Sequence, residues 1–94
     1  MIHIRETFRT AGLKYNWPWK SEGVGVAKNF FDGVGDIELT IGDSPTVYKI
    51  EKSKAKEVVN KYRSIYVAGK TPLGVIPLEL FTIVPNESQP SLSL

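Results

Sequence analysis

The alternation of hydrophobic and polar residues is clearest around residue 40. Ile37, Leu39 and Ile41 are separated by polar neighbours, which is the period of a half-buried strand. The segment 42–45 (Gly-Asp-Ser-Pro) has the composition of a turn, and β-forming residues follow it over 46–51. The pattern therefore predicts an antiparallel β-hairpin.

A helical pattern comes directly after this hairpin. Four apolar side chains recur at the spacing i, i+3, i+4 and i+7, namely Ala55, Val58, Val59 and Tyr62. This spacing places them on one stripe of a helix. Ser53 is a suitable N-cap, and the cations near residue 63 suit the negative end of the helix dipole. The sequence predicts one main amphipathic helix over 53–63.

Two more strands are predicted after the helix. Residues 64–68 are short, apolar and partly β-branched, and 69–72 contain turn residues. Residues 75–84 are expected to form one further strand with apolar side chains on both of its faces. In a single sheet covered by one helix, one of those faces would stay open. This observation favours self-association of the chain as a homo-oligomer through the 75–84 strand.

The first 35 residues leave alternatives open. Residues 2–13 fit a strand or a short helix that ends at Gly12, and 24–31 fit a further strand between glycine-rich turns. We therefore expect an α+β fold, in which a mostly antiparallel sheet of four to six strands carries the helix 53–63 on one face.

The length and the composition limit the kind of protein. With 94 residues, of which 41% are hydrophobic and 23% are charged, the chain is expected to form a single compact domain over 1–85. Residues 86–94 are rich in Ser and Pro and predict a flexible tail. No apolar run is long enough to span a membrane. Because the chain has no cysteine and no visible signal peptide, we predict a cytoplasmic protein.

No cofactor is predicted, because the motifs that would bind one are incomplete. Gly69-Lys70-Thr71 resembles the end of a phosphate-binding loop, but position 64 is Ser where that loop has its first glycine. His3 is the single histidine, and it lies near a chain terminus. The sequence therefore predicts a non-enzymatic protein more readily than an enzyme.

The positive charge of the chain is local. The net charge is only +2, but residues 49–63 contain six basic side chains against two acidic ones, Glu51 and Glu57. Basic side chains can follow a phosphate backbone, and aromatic rings can stack on unpaired bases. We therefore predict a small nucleic-acid-binding module, with DNA or RNA as its partner. Its predicted contact residues are Lys49, Lys52, Lys54, Lys56, Lys61, Arg63, Lys70, Trp17 and Trp19.

The acidic residues near the hairpin suggest a different function. Asp36 and Glu38 begin one predicted strand, and Glu51 ends the next, immediately before Lys52. This order resembles that of the metal-dependent nucleases of the PD-(D/E)xK class. The resemblance covers about 20 residues and implies carboxylates around a divalent cation, with a lysine beside the attacking water. The chain departs from the motif at Ser53, which stands where the lysine belongs. A minimal nuclease and a homo-oligomeric interaction or structural module are thus the alternatives to nucleic-acid binding.

Overall fold

The computed structural model describes residues 1–84, and the predicted tail at 86–94 lies outside these residues. Two short 3-10 turns, Lys28–Phe31 and Leu78–Leu80, interrupt the described part of the chain. Its helices and strands are, in order, β1 (Ile2–Ile4), α1 (Ala11–Lys14), β2 (Gly23–Ala27), β3 (Asp36–Ile41), β4 (Val47–Glu51), α2 (Lys52–Tyr62), β5 (Ile65–Ala68), β6 (Thr71–Pro77) and β7 (Thr82–Val84).

The strands form two sheets. Sheet A has four strands in the order β1-β3-β4-β7, and sheet B has three in the order β2-β6-β5. All strand pairs are antiparallel except β1 with β3. The α+β class, the mostly antiparallel pairing and the single main helix are confirmed. The strands divide into two sheets where the sequence suggested one.

The predicted hairpin and helix are present with small shifts at their ends. β3 and β4 pair so that Ile37 lies opposite Ile50, and both side chains are buried. α2 starts one residue earlier than predicted, since Lys52 is already helical, and no side chain caps its first turn. The predicted Ser53 cap is therefore wrong. Arg63 ends the helix in the left-handed conformation, at a φ of 50°.

The main core lies between sheet A, one face of sheet B and α2. Ala55 and Val59 are buried on the side of α2 that meets this core, as their spacing predicted. They pack with residues from both sheets and from the first 3-10 turn, including Val24, Val26, Phe31, Ile37, Leu39, Ile50 and Ile76.

The segment 75–84 is not one strand, and this prediction is corrected. β6 ends at Pro77, the 3-10 turn Leu78–Leu80 redirects the chain, and β7 then joins sheet A beside β4. Val75 and Ile76 point to opposite faces of sheet B, and both are fully buried within the chain. The apolar side chains on which self-association through 75–84 was based are thus largely covered by the chain itself.

The N-terminal residues cover the second face of sheet B. Ala11 and Trp17 form a small buried cluster with Val75, so the ambiguous N-terminal region becomes a short strand, a short helix and a packed loop. Gly23 makes this approach possible. A Cβ at Gly23 would lie 2.6 Å from Cγ1 of Val75 and 2.8 Å from Cβ of Ala11.

We predict that Gly23→Ala destabilises the fold by about 1–3 kcal/mol, the usual cost of overpacking a tight core. Ala11 contacts this position through its Cβ, which no side-chain rotation can move away. The free energy of unfolding in urea measures the effect. The control is Ala68→Val, which enlarges an exposed position of the same sheet and should change stability by no more than about 0.5 kcal/mol. Equal stability of Gly23→Ala and the wild type would contradict the packing described.

Candidate nucleic-acid interface

A cleft of about 520 Å³ lies between α1 and the segment that follows it. This volume falls within the range of small-ligand sites, roughly 300–1,000 Å³. The residues that line it are Arg9, Thr10, Gly12, Leu13, Asn16, Trp17, Trp19, Lys20 and Ser21. Two of them are cations, and among these lining residues there is no carboxylate. The cleft therefore combines aromatic and aliphatic walls with positive charge.

The local sequence explains why the chain turns back on itself here. Asn16 takes up the left-handed conformation at a φ of 57°, which short polar side chains tolerate. Pro18 then prevents the helix from continuing. Gly12 allows the two walls to approach, because a Cβ at this position would lie 2.9 Å from the carbonyl oxygen of Trp19.

Trp17 lies at the inner wall of the cleft with an unused hydrogen-bond donor. Its side chain is only 7% exposed, and its indole Nε1 has no partner within residues 1–84. A buried donor without a partner costs about 1–3 kcal/mol, so nearly all such groups in proteins are paired. Because Trp17 is buried, its ring faces are not available to stack on a base, in contrast to the role predicted from the sequence.

Trp19 joins the cleft to the end of α2. It is half-buried, and its ring meets the ring of Tyr62 edge to face at a centroid distance of 5.4 Å. The Nζ of Lys61 lies 5.5 Å from the centroid of the same Tyr62 ring. An aromatic and basic surface thus runs from the cleft to the helix, and we call it the Trp19 surface: Arg9, Trp19, Lys20, Lys61 and Tyr62.

The structure separates most of the other predicted contact residues. Lys49 lies on the outer face of sheet A, where its Nζ is 3.9 Å from an Asp36 oxygen. The Nζ of Lys52 donates to the Asp32 carbonyl at 3.1 Å. Lys70 lies in the turn between β5 and β6. On α2, Lys54 lies two turns before Lys61 on the same side of the helix, whereas Lys56 lies on the other flank and Arg63 ends the helix. The predicted residues are therefore spread over several surfaces.

A smaller basic cleft of about 300 Å³ occupies the other flank of α2. Lys56 and Asn60 line it from the helix, and Lys28 and Asn29 line it from the first 3-10 turn. Asp32 also lines this cleft and offsets part of the positive charge. Lys28, like Arg9, Lys20 and Tyr62, was not among the predicted contact residues. Lys20 could have been found from its position beside Trp19, but Arg9 and Lys28 reach their clefts only through tertiary packing.

The acidic residues that resemble a nuclease motif lie on the outer face of sheet A. Asp36 is opposite Glu51 in the strand register, and Glu38 is opposite Lys49. The buried pair Ile37 and Ile50 occupies the other face. Within residues 1–84 no group of three or more His, Asp or Glu side chains is arranged to hold a metal ion. The geometry therefore gives the nuclease interpretation no support.

Comparisons of the chain with protein-family models, with curated proteins and with solved structures find no match. Within the described residues, no helix has the length and apolar character needed to cross a membrane. The chemistry of the clefts and surfaces is therefore the basis for inferring a function.

Tyr15 adds a titratable group beside the cleft, with its ring centroid 5.7 Å from that of Trp17. Burial raises the pKa of the Tyr15 hydroxyl above its ordinary value of 10.0, and the neighbouring Tyr66 adds to the rise. The folded protein thus keeps this proton to higher pH than the unfolded chain does. The stabilising effect of the neutral hydroxyl is complete below pH 10.0 and is lost as the pH rises through the folded-state pKa.

We predict that the wild type loses more stability than Tyr15→Phe as the pH rises above 10.0, because the phenylalanine variant has no hydroxyl to ionise at this position. Urea unfolding of both proteins across this pH range measures the difference. Below pH 10.0, the stability of the two proteins should depend on pH in the same way. Parallel curves throughout the alkaline range would contradict the raised pKa.

Proposed function

We propose that this protein is a small non-enzymatic module that binds single-stranded DNA or RNA at the Trp19 surface. The observation that carries the proposal is the cleft itself, in which two cations and the half-buried Trp19 meet with no carboxylate among the lining residues. These groups match the parts of a nucleotide. Arg9 and Lys20 suit a phosphate, and the Trp19 ring suits a base.

The form of the surface favours a single strand over a duplex. A cleft can take an unstacked base, whereas reading a duplex groove requires a protruding helix or ribbon with suitable side chains. The exposed side of α2 does not offer a continuous row of cations. Glu57 lies one helical turn from both Lys54 and Lys61, and Lys56 lies on the other flank. The basic helix therefore contributes chiefly through Lys61 at its C-terminal end.

We predict that Lys20→Ala weakens binding to a labelled oligothymidylate or oligouridylate and lowers its dependence on salt. Each phosphate contact to a single strand contributes about 0.7 to the slope of log affinity against log salt, so the variant should lose about that amount. Fluorescence anisotropy at several salt concentrations measures both quantities. Lys70→Ala is the matched control, because it removes the same charge from the β5–β6 turn. Equal effects of the two variants, or no binding by the wild type at low salt, would refute the proposal.

Trp19→Ala tests the stacking contribution separately. Loss of one base–aromatic stack should weaken binding by about 1–3 kcal/mol and leave the salt slope unchanged. Because Trp19 also packs against Tyr62, thermal melting must show that the variant is folded at the assay temperature. Retention of full affinity by a folded Trp19→Ala protein would exclude Trp19 as a stacking residue.

Protein interaction is the second candidate function, and one observation favours it. All four residues of β5 are exposed, although three of them are large and apolar. The sequence predicted homo-oligomer formation through 75–84. In the structure, β5 exposes more large apolar side chains than the segment 75–84 does.

A further inference from the structure

We propose that the outer edge of β5 binds an extended acidic segment of a partner protein as an added β-strand. This activity is separate from the proposed nucleic-acid binding, because it uses the main chain of β5 and the cations around it. Strand addition obtains affinity from main-chain hydrogen bonds and specificity from alternate side chains. β5 supplies both.

The main chain of β5 has one free edge. Within residues 1–84 it pairs with β6 alone, at the end of the order β2-β6-β5. The amide of Val75 donates to the carbonyl of Ser64 at 2.8 Å, so Ser64 and Val75 are a hydrogen-bonded pair. The next pair along the ladder is Ile65 with Gly74. Since bonded and non-bonded pairs alternate in an antiparallel ladder, Ile65 and Val67 direct their main-chain groups away from β6.

The residue opposite Val67 supports this alternation. It is Pro72, which has no amide hydrogen to give to a bonded pair. The amide of Ile65 already donates to the Arg63 carbonyl at 2.9 Å. Within residues 1–84, the carbonyl of Ile65 and both main-chain groups of Val67 therefore have no partner and remain for an added strand.

The side chains of β5 make this edge unlike a protected one. Ile65 is 39% exposed and Val67 is 59% exposed, and both lie on one face of the strand, while Tyr66 is 37% exposed on the other. Natural edge strands usually carry a charge, a proline or a bulge that blocks further pairing. The sequence Ile-Tyr-Val-Ala has none of these within the strand.

The charges around β5 select the partner. The sequence from residue 58 to residue 78 contains three cations and no acidic residue. Arg63 precedes β5 and Lys70 follows it, while the Nζ of Lys14 lies 5.0 Å from the centroid of the Tyr66 ring. A partner strand with acidic residues beside its apolar positions would meet a cation at each end of β5. This charge complementarity gives specificity and a faster encounter.

The same charges disfavour a second copy of this chain on the edge. An antiparallel arrangement of two β5 strands would bring Arg63 of each copy towards the turn that holds Lys70 of the other. A parallel arrangement would place each cation beside its own equivalent. Like charges repel in both cases. An acidic partner segment is therefore the better occupant.

The first experiment follows the Val67 amide by hydrogen exchange in the full chain. In the free protein this amide should exchange rapidly at every protein concentration, because it points to solvent. A synthetic peptide of alternating Val and Glu residues should protect it, and a matched peptide of Val and Lys should not. Protection in the free protein would mean that the chain or a second copy already occupies the edge and would overturn the proposal. Protection by neither peptide, or by both equally, would also overturn it.

A substitution at the same residue tests the main-chain contact. Val67→Pro removes the outward amide without breaking a bond to β6, so it should weaken binding of the Val-Glu peptide about tenfold, as expected for one lost hydrogen bond. Val67→Thr keeps the amide and should bind nearly as the wild type does. Equal binding by folded Val67→Pro and Val67→Thr proteins would contradict strand addition. If Val67→Pro fails to fold, the exchange experiment on the wild type still decides the question.

Two further variants separate this proposal from nucleic-acid binding. Lys70→Glu should weaken binding of the Val-Glu peptide and leave oligonucleotide binding unchanged. Trp19→Ala should weaken oligonucleotide binding and leave binding of the Val-Glu peptide unchanged. A loss of peptide binding in Trp19→Ala would assign both ligands to the Trp19 surface and would overturn the β5 site.

Discussion

Sheet B must be covered on both of its faces, and most of the structure depends on this constraint. Its central strand, β6, directs Val75 to one face and Ile76 to the other, and both side chains are completely buried. Burying each such side chain contributes about 1.5–3 kcal/mol. α2 and Phe31 meet the face that carries Ile76, where Gly74 leaves room for them. The N-terminal segment meets the face that carries Val75, over Gly23.

The same constraint builds the candidate site. To cover Val75, the chain places Ala11 and Trp17 against sheet B and then reverses direction at Asn16 and Pro18. This reversal opens the cleft, brings Trp19 to its rim and leaves the buried indole donor of Trp17 without a partner within residues 1–84. Covering the two faces of sheet B does not cover its outer edge. β5 thus retains exposed apolar side chains beside the cations Lys14, Arg63 and Lys70.

Elements with strong local periodicity were predictable. The β3–β4 alternation and the i, i+3, i+4 spacing of α2 each specify a buried face, so these elements appear close to their predicted positions. Residues 75–84 misled the prediction, because a continuous apolar run has no period that shows where a strand ends. The predicted contact residues are also spread over more than one surface. Lysines that are neighbours in sequence point to different sides of a helix or to opposite faces of a strand, so Lys49, Lys56 and Lys61 belong to different surfaces.

The sequence by itself determined the α+β class, the hairpin, the amphipathic helix and the local excess of positive charge, because each depends on residues within a few positions of one another. The tertiary structure alone decided that there are two sheets, that Trp17 is buried and Trp19 is not, and that Arg9 joins Lys20 beside them. Those outcomes depend on which faces cover one another across long stretches of chain. Packing of this kind depends on the shape and volume of side chains that are far apart in the sequence. Local periodicity carries no information about those properties.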